Sequence, residues 1–103
     1  MKLKTFVAAA VVGVAALMPS TALAATGGFY WSPDGSGIQS ASLQNPRTGH
    51  CYTLRGTHLP FYAYNGTKST VKYYSSARCS GSPKGELPSK LSGNVTTRYV
   101  KFF

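Results

Sequence analysis

The chain has 103 residues and carries 11 lysines and arginines against 2 acidic residues, for a formal net charge of +9. That length allows one small domain, and that imbalance draws polyanions to the surface. The two cysteines form no CxxC pair and lack a paired histidine spacing, which argues against a zinc site.

Residues 1–24 read as a secretory signal peptide. Lys2 and Lys4 form a positive start and Phe6 to Met18 an apolar run too short for a comfortable membrane span. Pro19 and Ser20 break the run, and Ala22-Leu23-Ala24 is a small-x-small cleavage site, so the mature chain is expected to begin at Ala25 and to be secreted. Removing the leader leaves nine bases and two acids, +7 over 79 residues. A domain of that size profits from a staple. An oxidising destination makes Cys51–Cys79 an expected disulfide, closing a loop of about 28 residues.

In chain order, Ala25 to Gly28 reads as a flexible start and Phe29-Tyr30-Trp31 as a short strand or a plug on the core. Ser32 to Gly37 (SPDGSG) is turn chemistry. Ile38 to Gln44 alternates weakly and predicts a strand, Asn45 to Gly49 a turn, Cys51 to Arg55 a strand and Gly56 to Pro60 a loop. Phe61 to Tyr64 predicts a strand running into Asn65-Gly66, a strong hairpin signal, with Thr70 to Ser75 as its partner. Ser80 to Glu86 reads as turn and Leu87 to Gly93 as irregular. Val95 to Phe103 predicts the last strand, with Arg98, Val100 and Phe102 on one face and Tyr99, Lys101 and Phe103 on the other. No helical period is sustained, and turn signals recur throughout. The pattern predicts an all-β sandwich or small barrel as a single domain over 25–103.

Candidate chemistry is sparse. His50 and His58, with Glu86 as a second acid, form the set that a small basic ribonuclease-like hydrolase would use. Asp34 is the only aspartate, and no G-x-S-x-G surrounds a serine. Tyr62, Tyr64, Tyr73 and Tyr74 near Lys68, Lys72 and Arg78 could stack single-stranded nucleic acid. The simpler reading makes these tyrosines core, because aliphatic residues are few. Asn65-Gly66-Thr67 and Asn94-Val95-Thr96 match the glycosylation acceptor pattern but read as turn and strand chemistry.

Short motifs carry a resemblance: Asn45-Pro46, Gly49-His50-Cys51-Tyr52, Tyr64-Asn65-Gly66-Thr67, Val71 to Tyr74, Cys79-Ser80-Gly81-Ser82-Pro83 and Arg98 to Phe102. Over about residues 38–103 the chain resembles small secreted single-disulfide actinomycete proteins of the βγ-crystallin-like class, which includes killer-toxin-like proteins. The resemblance implies two Greek-key motifs in a small sandwich. It also implies a calcium loop of the form (Asn/Asp)-(Asn/Asp)-x-x-(Ser/Thr)-Ser. Asn65 to Thr70 is similar to that loop but places Gly66 at the second ligand position, Lys68 inside it and Thr70 at its end. Calcium takes several oxygen ligands, usually with negative charge. No strong calcium site and no other cofactor is therefore expected.

The functional expectation is a non-enzymatic, monomeric, basic secreted protein, possessing no catalytic residues and binding an anionic polymer, an envelope surface or another protein. An antimicrobial or toxin-like role is its sharper form. Arg55, Lys68, Lys72, Arg78, Arg98 and Lys101 are the candidate anion-binding surface. The alternatives are an extracellular protease inhibitor presenting Gly56 to Pro60, and the hydrolase above.

Overall fold

Side-chain alternation along short strands builds the protein. A computed structural model describes residues 23–103, so the expected leader lies outside the described residues except for Leu23 and Ala24. The strands are β1 (Gly28–Trp31), β2 (Ala41–Gln44), β3 (Cys51–Thr53), β4 (Phe61–Asn65), β5 (Val71–Tyr74), β6 (Gly85–Leu87), β7 (Ser92–Val95) and β8 (Tyr99–Phe102). Every pairing between these strands is antiparallel. The all-β class is as the sequence predicts. Among the described residues no helix is long and apolar enough to cross a membrane.

The strands form two four-stranded sheets. Sheet one has the order β2-β1-β4-β7 and sheet two the order β3-β8-β5-β6. The two halves of the chain repeat one pattern. In the first, β1 pairs with β2 and β4 returns to the other side of β1. In the second, β5 pairs with β6 and β8 returns beside β5. The third strand of each half crosses over: β3 completes sheet two against β8, and β7 completes sheet one against β4. Neither half can finish a sheet alone, which couples their folding.

The core fills the space between the sheets. Phe29 and Trp31 of β1, Phe61 and Ala63 of β4 and Val95 of β7 point in from sheet one; Val71, Val100 and Phe102 point in from sheet two. Phe29 and Phe102 meet edge to face across the sandwich, with centroids 5.4 Å apart at 81°. Tyr52 approaches Phe102 from β3 at 6.1 Å and 78°. Burying each phenylalanine or valine contributes roughly 1.5–3 kcal/mol, and edge-to-face rings add about 0.5–1.5 kcal/mol. The disulfide Cys51–Cys79 forms as expected and fastens the β5–β6 connection to β3.

Several sequence expectations are corrected. Asn65-Gly66 is not a hairpin turn: β4 lies in sheet one and β5 in sheet two, so the chain changes sheets there. Val95 belongs to β7, and the last strand begins only at Tyr99. Val100 and Phe102 do share the inner face, but Arg98 precedes the strand. Leu87 ends β6 and joins the core, while Leu91 stays exposed before β7. Ile38 lies outside β2, with its side chain 69% exposed. Ala25 is buried, and its backbone N–H donates to Pro46 O at 2.7 Å, so the expected flexible start is packed against the domain.

Candidate functional site

Antiparallel register places two like charges side by side on the outer face of sheet two. Lys72 of β5 stands directly opposite Lys101 of β8. The same row continues to Cys51 on β3 and to Glu86 on β6. Like charges directly opposite in a sheet are destabilising, and an aromatic ring offsets the repulsion here. Lys72 Nζ sits 4.8 Å and Lys101 Nζ 5.5 Å from the centroid of Phe103. Lys101 also lies 5.6 Å from the ring centre of Tyr74. The face of an aromatic ring is electronegative and holds cations. Arg78 is next to Cys79, so the disulfide brings its loop beside Cys51, the cross-strand neighbour of Lys101.

The other candidate cations lie elsewhere. Leu54 N–H donates to Arg98 O at 2.7 Å, which sets Arg55 and Arg98 at one end of the sandwich. The Arg98 guanidinium donates to Gly56 O at 3.1 Å and lies 5.8 Å from the Phe61 ring centre, so part of its hydrogen-bonding capacity is spent inside the protein. Lys68 is exposed in the turn beyond the other end of β4, where its backbone N–H donates to Thr26 O. The six expected anion-binding residues therefore divide: Lys72 and Lys101 adjoin on sheet two, Arg78 lies in the loop that the disulfide ties to the edge of that sheet, Arg55 and Arg98 lie at one end, and Lys68 at the other.

The acid-base candidates are not gathered at one point. His50 immediately precedes β3 and Glu86 lies on β6, the two opposite edge strands of sheet two. Three strand spacings separate those edges by about 14 Å. His50 packs edge to face on Tyr52 at 4.6 Å. His58 Nδ1 lies 2.9 Å from Thr57 Oγ1, and the side chain rests against Gly35. Asp34 accepts a hydrogen bond from Ser36 N–H at 3.0 Å, and the Ser36 and Ser32 bonds hold its carboxyl below the usual 3.8.

The Gly56–Pro60 loop is tied down at its start. Thr57 N–H donates to Pro33 O at 2.7 Å. Gly56 has φ of +156°, and a Cβ there would come within 2.6 Å of the Phe61 ring, so only glycine fits. Leu59 remains 43% exposed at the loop's far side.

Asn65 to Thr70 turns its oxygens inward. Asn65 Oδ1 accepts from Thr67 N–H at 3.1 Å and Thr67 Oγ1 at 2.6 Å. Lys90 Nζ donates to Gly66 O at 2.7 Å, so an ammonium already sits against a carbonyl of this calcium-like hexapeptide. Among the described residues, no group of three or more His, Cys, Asp or Glu side chains could hold a metal ion.

The four candidate stacking tyrosines are not one platform. Tyr62 and Tyr64 face outward from sheet one; Tyr73 packs against the core, and Tyr74 lies buried on sheet two beneath Lys101. Sequence reading missed the partnership of Phe103 with the two lysines. The alternation of Lys101 and Phe103 was a signal for it, but the register with Lys72 was needed to complete it. Scans against family models, curated proteins and solved structures return no match for this chain.

Proposed function

We propose that this is a secreted, non-enzymatic, monomeric protein that binds an anionic envelope polymer through the outer face of sheet two. The observation that carries the reading is the pair Lys72 and Lys101, held directly opposite each other over Phe103. Phe103 and Glu86, the other cross-strand neighbour of Lys72, already temper the repulsion of the pair, and an incoming phosphate or carboxylate adds to that, so two ammoniums are held in advance for an anion. Arg78 extends the charge toward the disulfide. Dispersal of His50, His58 and Glu86 over separate elements supports binding rather than catalysis, and the +7 charge left after processing favours a monomer through self-repulsion. Antimicrobial action through the same face is its sharper form.

The fold supports two Greek-key motifs of the βγ-crystallin-like kind. In each half the fourth strand returns beside the first, as a Greek key requires. Processing after Ala24 would place the new ammonium of Ala25 at Pro46 O, where the backbone N–H now donates at 2.7 Å, and would remove the Ala24–Arg47 bridge and the two bonds from Thr48 to Leu23 O. The mass of protein recovered from culture medium checks this.

The decisive measurement is binding to lipoteichoic acid and to anionic vesicles at 50 and 200 mM salt. Affinity should fall steeply with salt, and the Lys72→Ala/Lys101→Ala variant should lose most of it. Binding indifferent to salt sinks the proposal. Vesicle leakage tests the antimicrobial form.

The anchored loop with exposed Leu59 gives a second reading, a protease inhibitor, because a preorganised loop binds without an ordering cost. Incubation with secreted proteases decides it; cleavage at the loop without inhibition counts against it.

A further inference from the structure

The outer face of sheet one has a different chemistry from that of sheet two. None of its four strands contains a lysine, arginine, histidine, aspartate or glutamate, in a chain with 11 bases. Register puts Tyr30 opposite Tyr64 on its two central strands, with Ser42 and Ser92 at the ends of the same row. Asn94 pairs beside Tyr62, and Gln44 beside Gly28.

The tyrosines do not stand up from the sheet. A Cβ on Gly28 would collide with the Tyr30 hydroxyl, and one on Gly66 would come 3.0 Å from Tyr64 Cε2. Gly28 and Gly66 are themselves bonded, Gly66 N–H to Gly28 O at 2.8 Å. Both rings therefore lie along their strands in the same direction, over a joined pair of glycines. Their planes differ by 18° and their centroids are 6.4 Å apart. Tyr62 extends the surface and is 45% exposed.

We propose that this face docks an uncharged glycan chain, its pyranose rings lying on Tyr30 and Tyr64 and its hydroxyls bonding to Gln44, Ser92 and Asn94. A pyranose has an apolar C–H face and a polar rim, and a tyrosine shelf edged with amides and hydroxyls has the same division. Charge selects among occupants. A polyanion would be drawn to the lysines of sheet two, whereas strands without charged side chains suit a neutral chain, the ammonium of Lys90 beside them being engaged by Gly66 O at 2.7 Å. A protein seeking apolar anchors would find no leucine, isoleucine or methionine pointing outward here. Tyrosine supplies large contact area at low conformational cost, and the glycine floor fixes the rings before binding.

The test is calorimetric and NMR titration of the purified protein with chitohexaose and with cellohexaose, at 50 and 500 mM salt. At least one should bind with affinity unchanged by salt and unchanged in Lys72→Ala/Lys101→Ala. Tyr30→Ala and Tyr64→Ala should each weaken binding about five- to tenfold. Tyr62→Ala, at an exposed position, gives a loss of binding that misfolding does not explain. Gly28→Ala is the most diagnostic variant: it keeps every tyrosine and displaces the Tyr30 ring, and it should weaken binding as much as Tyr30→Ala. Failure of both oligosaccharides to bind at millimolar concentration overturns the proposal, as does binding that survives the tyrosine variants or weakens with salt.

Discussion

Asn65 and Thr67 satisfy each other inside the protein. Asn65 Oδ1 accepts from Thr67 N–H and Oγ1, at 3.1 and 2.6 Å, and both residues are fully buried. Asn65 Nδ2 donates to Ser69 O at 2.7 Å and to Leu87 O at 2.9 Å. One amide thus shapes the passage from β4 to the second sheet and joins it to the end of β6. Asn65→Ala leaves several buried groups unpaired, each costing about 1–3 kcal/mol. The expected loss is roughly 3 kcal/mol or more by urea denaturation. A loss below about 1 kcal/mol would show that the passage holds without the amide.

The same residues show why the hairpin was misread. Asn-Gly between alternating strands signals a two-residue turn, because both residues tolerate the required dihedrals. Nothing local to Asn65-Gly66 reveals that the next strand belongs to another sheet. That depends on Gly66 N–H bonding to Gly28 O, 38 residues away in the sequence. By contrast, inward Val100 and Phe102 were legible from the two-residue period of the last strand. The Cys51–Cys79 pairing was legible because only one partner existed. The site was half legible: the sequence contains Lys72, Lys101 and Phe103, but their meeting depends on long-range register.

The disulfide closes a segment of 28 residues, and that segment spans the sheet change. On loop-closure entropy it contributes roughly 3.5 kcal/mol. Cys51→Ala/Cys79→Ala should lower stability by about that amount and lower the melting temperature by over 10 °C in a domain this small. Because Cys79 carries Arg78 toward sheet two, the variant should also weaken polyanion binding at temperatures where it remains folded. Unchanged binding would remove Arg78 from the face.

Asp34 makes the Ser32–Gly37 loop acid-sensitive. Hydrogen bonds from Ser36, then Ser32, favour its carboxylate, so its pKa in the folded protein lies below 3.8. A depressed folded pKa means that the stabilisation is fully present above the unfolded value. It is lost as pH falls through the folded value. NMR titration should show Asp34 ionising below 3.8, with Ser36 and Gly37 amide signals moving in step. Titration at or above 3.8 would contradict the bonds that close this loop.

Lys101→Gln separates binding from folding. The change removes one of two ammoniums that face each other across β5 and β8, and with it the contacts to Phe103 and Tyr74. Lost cation–π attraction, about 0.5–1 kcal/mol, is set against relieved repulsion of about 0.2–1 kcal/mol. Stability should therefore move by less than about 1 kcal/mol in either direction. Lipoteichoic acid binding should instead weaken about fivefold at 50 mM salt, and the slope of log affinity against log salt should shrink by about one. Phe103→Ala should do the reverse. It leaves both charges in place but unshielded from each other, so stability should fall by about 1 kcal/mol while the salt slope stays unchanged. If Lys101→Gln instead destabilises the fold strongly and leaves the salt slope intact, the lysine pair is a structural feature and the anion must bind elsewhere.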